Sequence, residues 1–149
     1  MPIDAASPAG SVHLLGHGDY AVMMTGSGAG YGRWRGLAVT RWHVGQAGGE
    51  QGVFVYLRDV GGDAFWSATA RPCGGATRHW FDEAMARFSR RDGAITTTLE
   101  VAVDPECAVE VRGIGLRNDG LVGRDIELTS YAELVLGSRQ ADDSHPAYS

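Results

Sequence analysis

The sequence predicts an all-β protein, an antiparallel β-sandwich, on three observations. Apolar and polar residues alternate with a period of two in run after run. The runs are short and rich in β-branched or aromatic types, and Gly, Asp and Asn cluster between them. At 149 residues the chain has the length of one domain and can bury a core without metal or disulfide support.

The clearest strand is Ala94–Val103, where Ile95, Thr97, Leu99, Val101 and Val103 share one face and Thr96, Thr98 and Glu100 the other. Asp104-Pro105 ends it, because proline cannot donate to the next ladder bond. Asp125–Leu136 repeats the pattern, with Ile126, Leu128, Ser130, Ala132, Leu134 and Leu136 on one side. In chain order the other strands are Tyr20–Thr25, Leu37–Trp42, Val53–Val60, Ala64–Ala70, Thr77–Phe81, Ala84–Arg90 and Ala108–Arg117. Phe81–Arg91 is the best helical stretch, but its Ala84, Ala86, Phe88 alternation fits a strand equally well. Val109 and Val111 have the opposite parity to Ile114 and Leu116, so Gly113 or Gly115 is read as a β-bulge. Gly61-Gly62-Asp63, Arg91-Asp92-Gly93 and Asn118-Asp119-Gly120 supply turns. Residues 13–137 form the sandwich in this reading, between a flexible segment 1–12 and a loose segment 138–149 without periodic apolar pattern.

Composition excludes several function classes. All 13 basic residues are Arg, set against 18 acidic ones for a net charge of −5, so a nucleic-acid partner is not expected. The absence of Lys, with 22 Gly, reads as the codon usage of a GC-rich genome. There is no apolar run long enough to span a membrane and no secretory signal pattern, which predicts a soluble, cytoplasmic domain. Cys73 and Cys107 form no CxxC pair and read as free, mostly buried thiols, with one disulfide left open.

Gly26-Ser27-Gly28-Ala29-Gly30-Tyr31-Gly32 follows an apolar strand but fits neither the dinucleotide fingerprint nor a P-loop. It reads as a hairpin loop whose glycines could let backbone approach a ligand. Tyr31, Arg33, Trp34, Arg35, Arg41 and Trp42 lie close together, followed by Tyr56, Arg58, Asp59 and Trp66. Aromatic faces beside planar polar groups suit sugar rings; the plainer alternative is core packing and structural ion pairs. Histidines 13, 17, 43, 79 and 145 make no metal-ligand pattern, and no cofactor is expected. Ser144-His145 lacks a nucleophile elbow. The carboxylates Asp82-Glu83, Asp104 with Glu106, and Asp142-Asp143 sit in turns rather than across a bond to be cleaved. The sequence shows no catalytic residues.

The run Gly30–Trp42, GYGRWRGLAVTRW, carries a family resemblance. It continues through Phe54–Asp59, Trp66-Ser67, Phe88–Gly93, Leu99–Val101, Val109–Arg112, Ser130–Leu136 and His145-Pro146-Ala147. Over most of the chain this is similar to the N-terminal β-sandwich of glycoside hydrolase family 94, formerly glycosyltransferase family 36. The version in cyclic β-1,2-glucan synthases is the most similar. The chain departs from the pattern at Gly32, often Ser, and at His43, more usually Arg. The resemblance implies a supersandwich of the galactose-mutarotase-like kind, here incomplete, and a piece of a larger glycosyltransferase or phosphorylase acting on β-glucans. It implies that the catalytic acid lies on a downstream (α/α) barrel, so the sandwich itself is non-catalytic. It further implies a role in glucan synthesis and chain-length control, contact with that barrel, a possible homodimer, and a parent enzyme in the bacterial inner membrane. Tyr31, Arg33, Trp34, Trp42 and Asp59 are the residues expected to face a β-glucan oligosaccharide or the neighbouring domain.

Overall fold

The structure is a computed structural model describing residues 6–8, 10–42 and 51–144. Its described residues form twelve strands and one short helix, all strand pairs being antiparallel. A five-stranded sheet contains β1 (Val12–His17), β2 (Tyr20–Thr25), β3 (Gly30–Trp34) and β4 (Leu37–Thr40), with β12 (Leu134–Gly137) beside β4. A three-stranded sheet has β5 (Val53–Asp59) between β11 (Ile126–Ala132) and β6 (Phe65–Ser67). A four-stranded sheet orders β10 (Glu110–Asn118), β9 (Ile95–Val103), β8 (Met85–Asp92) and β7 (Arg78–Phe81). Helix α1 spans Arg139–Ser144.

One core joins all three sheets. Leu15, Tyr20, Val22 and Met24 of the first sheet, Leu57 and Trp66 of the second, and Ala86, Phe88, Leu99 and Val101 of the third belong to one buried cluster. These are the alternating residues of each strand, which is why a period of two suffices to mark them. The buried Trp66 donates its indole N–H to Thr97 Oγ1 (3.1 Å), satisfying both polar groups within the core.

The predicted bulge at Gly113 or Gly115 is absent. β10 pairs with β9 in one unbroken register from Glu110–Val103 to Asn118–Ile95. The parity conflict resolves the other way: Val109 and Val111 are 49% and 55% exposed, while the side chains of Glu110 and Arg112 turn inward. The apolar residues were the wrong ones to follow, because an ion pair occupies the inner positions.

Asp125–Leu136, read as one strand, is two. β11 pairs with β5, then the chain passes Glu133 and β12 pairs with β4 in a different sheet. Glu133 is held at the crossing: its carbonyl accepts from Arg41 N–H (3.0 Å) and its carboxylate from Arg41 Nη1 (3.1 Å). Among the described residues the register irregularity falls in β12, where Leu136 has φ +54°.

β1 and β3 were not among the predicted strands. In β1 the apolar Val12 and Leu14 are exposed (64% and 65%), and the inward residues are Leu15 and the half-buried His13, stacked on Phe81 at 4.8 Å. Two of the three large apolar residues of the strand thus face outward, which blurs its alternation. β3 begins inside the glycine cluster. Ahead of β1, Ser7 N–H donates to the His79 carbonyl (2.8 Å). Within Phe81–Arg91, Phe81 ends β7 and Met85–Arg91 belong to β8, so the stretch is hairpin rather than helix. Both cysteines are free and exposed, correcting the expectation of buried thiols.

Candidate functional site

The five candidate residues divide among three places. The β2–β3 register sets Met23 opposite Tyr31 and Ala21 opposite Arg33, and residues opposite one another share a face. Leu14 is opposite Met23 from the other side, so Tyr31 and Arg33 lie on the outward face of the five-stranded sheet. Trp42 joins them, its ring 5.6 Å from that of Tyr31 and tilted by 49°. Arg33 is exposed, and the two aromatic residues are half-buried.

Trp34, one residue on, is opposite Tyr20 and faces the other way. It lines an open hollow of about 450 Å³ with Tyr20, Val39, Ala108 and Glu110. The Arg35 guanidinium lies 4.9 Å above its ring. Below, Tyr20 Oη donates to Glu110 Oε2 (3.0 Å), Arg112 Nε donates to the same carboxylate, and Arg112 Nη1 reaches the Val53 carbonyl (2.9 Å). Burial, then the charge of Glu110, holds the Tyr20 phenol well above the usual tyrosine range.

Asp59 is on the core side of β5 and 5% exposed. Its Oδ2 accepts from Arg124 Nη1 (2.9 Å) and its Oδ1 from Gly61 N–H (3.2 Å). It opens onto a cleft of about 380 Å³ at one end of the sandwich, lined also by Phe65, Trp66, Asp92 and Arg124. Asp92 receives both Nε (2.7 Å) and Nη2 (2.6 Å) of the buried Arg90.

Residues 3–149 match the family described as "Glycosyl hydrolase 94, supersandwich domain". The chain belongs to this family. The supersandwich domain is also 43% identical, over 139 residues, to the cyclic beta-(1,2)-glucan synthase NdvB of Rhizobium meliloti (strain 1021). That alignment covers 91% of this chain and 5% of the relative, so the chain spans a small fraction of the protein it resembles.

Within the supersandwich domain the glycine cluster serves packing against the protein's own atoms. A side chain at Gly30 would put Cβ 2.0 Å from the Met23 carbonyl oxygen, and Gly28, at φ +89°, would meet Thr69. The close approach expected for a ligand is thus taken by backbone and Thr69. His43 and His145 lie outside the described residues. His79 is buried beside Phe81 and Phe88, and no group of three metal-ligating side chains occurs among the described residues. No helix among them is long and apolar enough to cross a membrane. Sequence reasoning named Asp59 but missed Phe65, Asp92 and Arg124, which reach the same cleft from different elements. The local signals were the Gly61-Gly62-Asp63 turn, which closes on the Asp59 carboxylate, and the Arg91-Asp92-Gly93 turn.

Proposed function

We propose that this supersandwich is a non-catalytic, carbohydrate-associated domain of an enzyme that makes β-glucan, a cyclic β-1,2-glucan synthase or a related family 94 phosphorylase. In that setting it supports glucan synthesis and the control of chain length, on the cytoplasmic side of an inner-membrane enzyme and beside its (α/α) barrel. The observation that carries the reading is the Tyr31–Trp42 ring pair next to the exposed Arg33 on an outward sheet face. Rings of this kind stack on the C–H faces of sugars, and a guanidinium donates to hydroxyls.

A structural or dimerisation module without sugar affinity is the second reading. It is favoured by Val12 and Leu14, exposed by 64% and 65% on the same outward face.

Calorimetric titration with linear and cyclic β-1,2-glucans, with cellobiose for comparison, separates the two. The carbohydrate role requires saturable binding that Trp42→Ala removes. A folded chain that takes up no glucan at millimolar concentration, and sediments as a dimer, makes it a scaffold.

A further inference from the structure

The outward face of the three-stranded sheet carries a row of aromatic rings separate from the Tyr31–Trp42 pair. Tyr56 and Arg58 flank the core residue Leu57 on β5, so their side chains project away from the core. Register fixes their neighbours. Phe65 and Glu127 are both opposite Arg58, Thr129 is opposite Tyr56, and Tyr131 is opposite Phe54, two residues before Tyr56. On this grid Phe65, Tyr56 and Tyr131 fall on one diagonal that crosses from β6 through β5 to β11. Diagonal neighbours are about 7–8 Å apart, so the row is roughly 15 Å long.

The rings are held in place. Phe65 and Tyr56 stack, with centroids 5.5 Å apart and planes within 12°. The Tyr131 hydroxyl donates to Glu133 Oε1 (3.0 Å). Phe65 and Tyr131 are nonetheless 59% and 47% exposed. Fixed rings with open surface meet a sugar C–H face at little cost in side-chain freedom.

The polar groups beside the row stand unengaged. Arg58 and Glu127 approach only to 3.9 Å, too long for a hydrogen bond, and both side chains are more than half exposed. The guanidinium keeps its N–H donors for hydroxyl oxygens, and the carboxylate keeps its acceptors for hydroxyl protons. Thr129, between Glu127 and Tyr131 on the same face, adds an exposed hydroxyl. One cation and one anion leave this corner without net charge, which favours a neutral, hydroxyl-rich ligand over an ion. The exposed apolar residues of β1 are aliphatic, whereas here rings lie beside an ion pair. The core of a protein interface is depleted in such charges.

We propose that this row binds an extended stretch of a neutral glucan, with consecutive sugar rings resting on Phe65, Tyr56 and Tyr131, Arg58 donating to their hydroxyls and Glu127 accepting from them. The proposal rests on the carbohydrate role above and adds sensitivity to chain length. A ligand long enough to touch both ends of the row gains over a disaccharide.

The test is titration of the full chain with β-1,2-linked glucopentaose and glucobiose, read by calorimetry and by backbone amide shifts. The pentaose should bind about tenfold more tightly than the disaccharide. Phe65→Ala and Tyr131→Ala should each weaken pentaose binding roughly five- to tenfold and narrow that gap. Tyr131→Phe keeps the ring and should keep the binding. Phe65→Leu should repeat the Phe65→Ala loss if the alanine variant folds poorly. Amides of Arg58, Phe65 and Thr129 should shift in the wild type, and Trp42→Ala should leave those shifts in place. Pentaose binding removed by Trp42→Ala but intact in the Phe65 and Tyr131 variants overturns the row and leaves the carbohydrate role standing. No binding of either sugar by a folded wild type overturns both. Should the row instead seat a second copy of the chain, the pentaose leaves these amides unshifted and Phe65→Ala changes the sedimentation; that result also overturns the sugar site.

Discussion

The Tyr20 hydroxyl donates to the Glu110 carboxylate at 3.0 Å, joining the inner face of the five-stranded sheet to the edge strand of the four-stranded one. Arg112 extends the link to the Val53 carbonyl, so one polar chain ties all three sheets. Removing the hydroxyl in Tyr20→Phe should cost about 1–2 kcal/mol in urea unfolding at neutral pH. The same bond has an alkaline signature. Burial and Glu110 raise the folded-state phenol above its unfolded value of about 10. The stabilisation is therefore complete below pH about 10 and is lost as pH rises beyond it, because the unfolded phenol ionises first. The wild-type minus Tyr20→Phe difference should shrink above that pH; a difference flat from pH 8 to 11 counts against the linkage.

The register of β10 makes opposite demands on neighbouring residues. Val111→Lys should change stability by no more than about 0.5 kcal/mol, since Val111 is 55% exposed. Arg112→Ala should cost about 2–3 kcal/mol, because it leaves the inward Glu110 carboxylate without its cation. Paired denaturation curves decide it. A larger loss for Val111→Lys would return the valines to the core.

Two glycines should respond in opposite ways. Gly30→Ala puts a carbon against the Met23 carbonyl and should destabilise by about 3 kcal/mol or more. Gly113→Ala meets nothing within 4 Å in a regular strand and should be neutral or stabilising by up to about 1 kcal/mol. Melting temperatures of the two variants would show the split.

Both cysteines are exposed and unpaired, so a thiol reagent should titrate two thiols in the folded chain, the same number as after denaturation. Thiols that react only on unfolding would contradict their position on the surface.

The strands that were legible share one property: their outward positions are mostly polar and their inward ones mostly apolar. β9 buries Ile95, Thr97, Leu99 and Val101 and exposes Thr98 and Glu100, and its alternation reads directly. β1 buries Leu15 between two histidines and exposes Val12 and Leu14, so the same rule hides it. In β10, Glu110 and Arg112 take the inner places because Tyr20 and Val53, distant in sequence, satisfy them. Of the candidate residues, the proximity of Tyr31, Arg33, Trp34 and Trp42 along the chain suggested a single surface. Strand alternation sends Trp34 to the other side.

The sequence by itself determined the class of fold and the family, because both depend on local patterning and on motifs carried in order along the chain. Period-two alternation and turn residues act over a few positions and need no partner to be read. Tertiary structure alone decided which candidates face one another, where β11 ends and β12 begins, and that Asp59 meets Arg124, with Phe65 and Asp92 completing the cleft. Those relationships depend on strand register and on charges satisfied across sheets. Only the folded chain brings such partners within hydrogen-bonding distance.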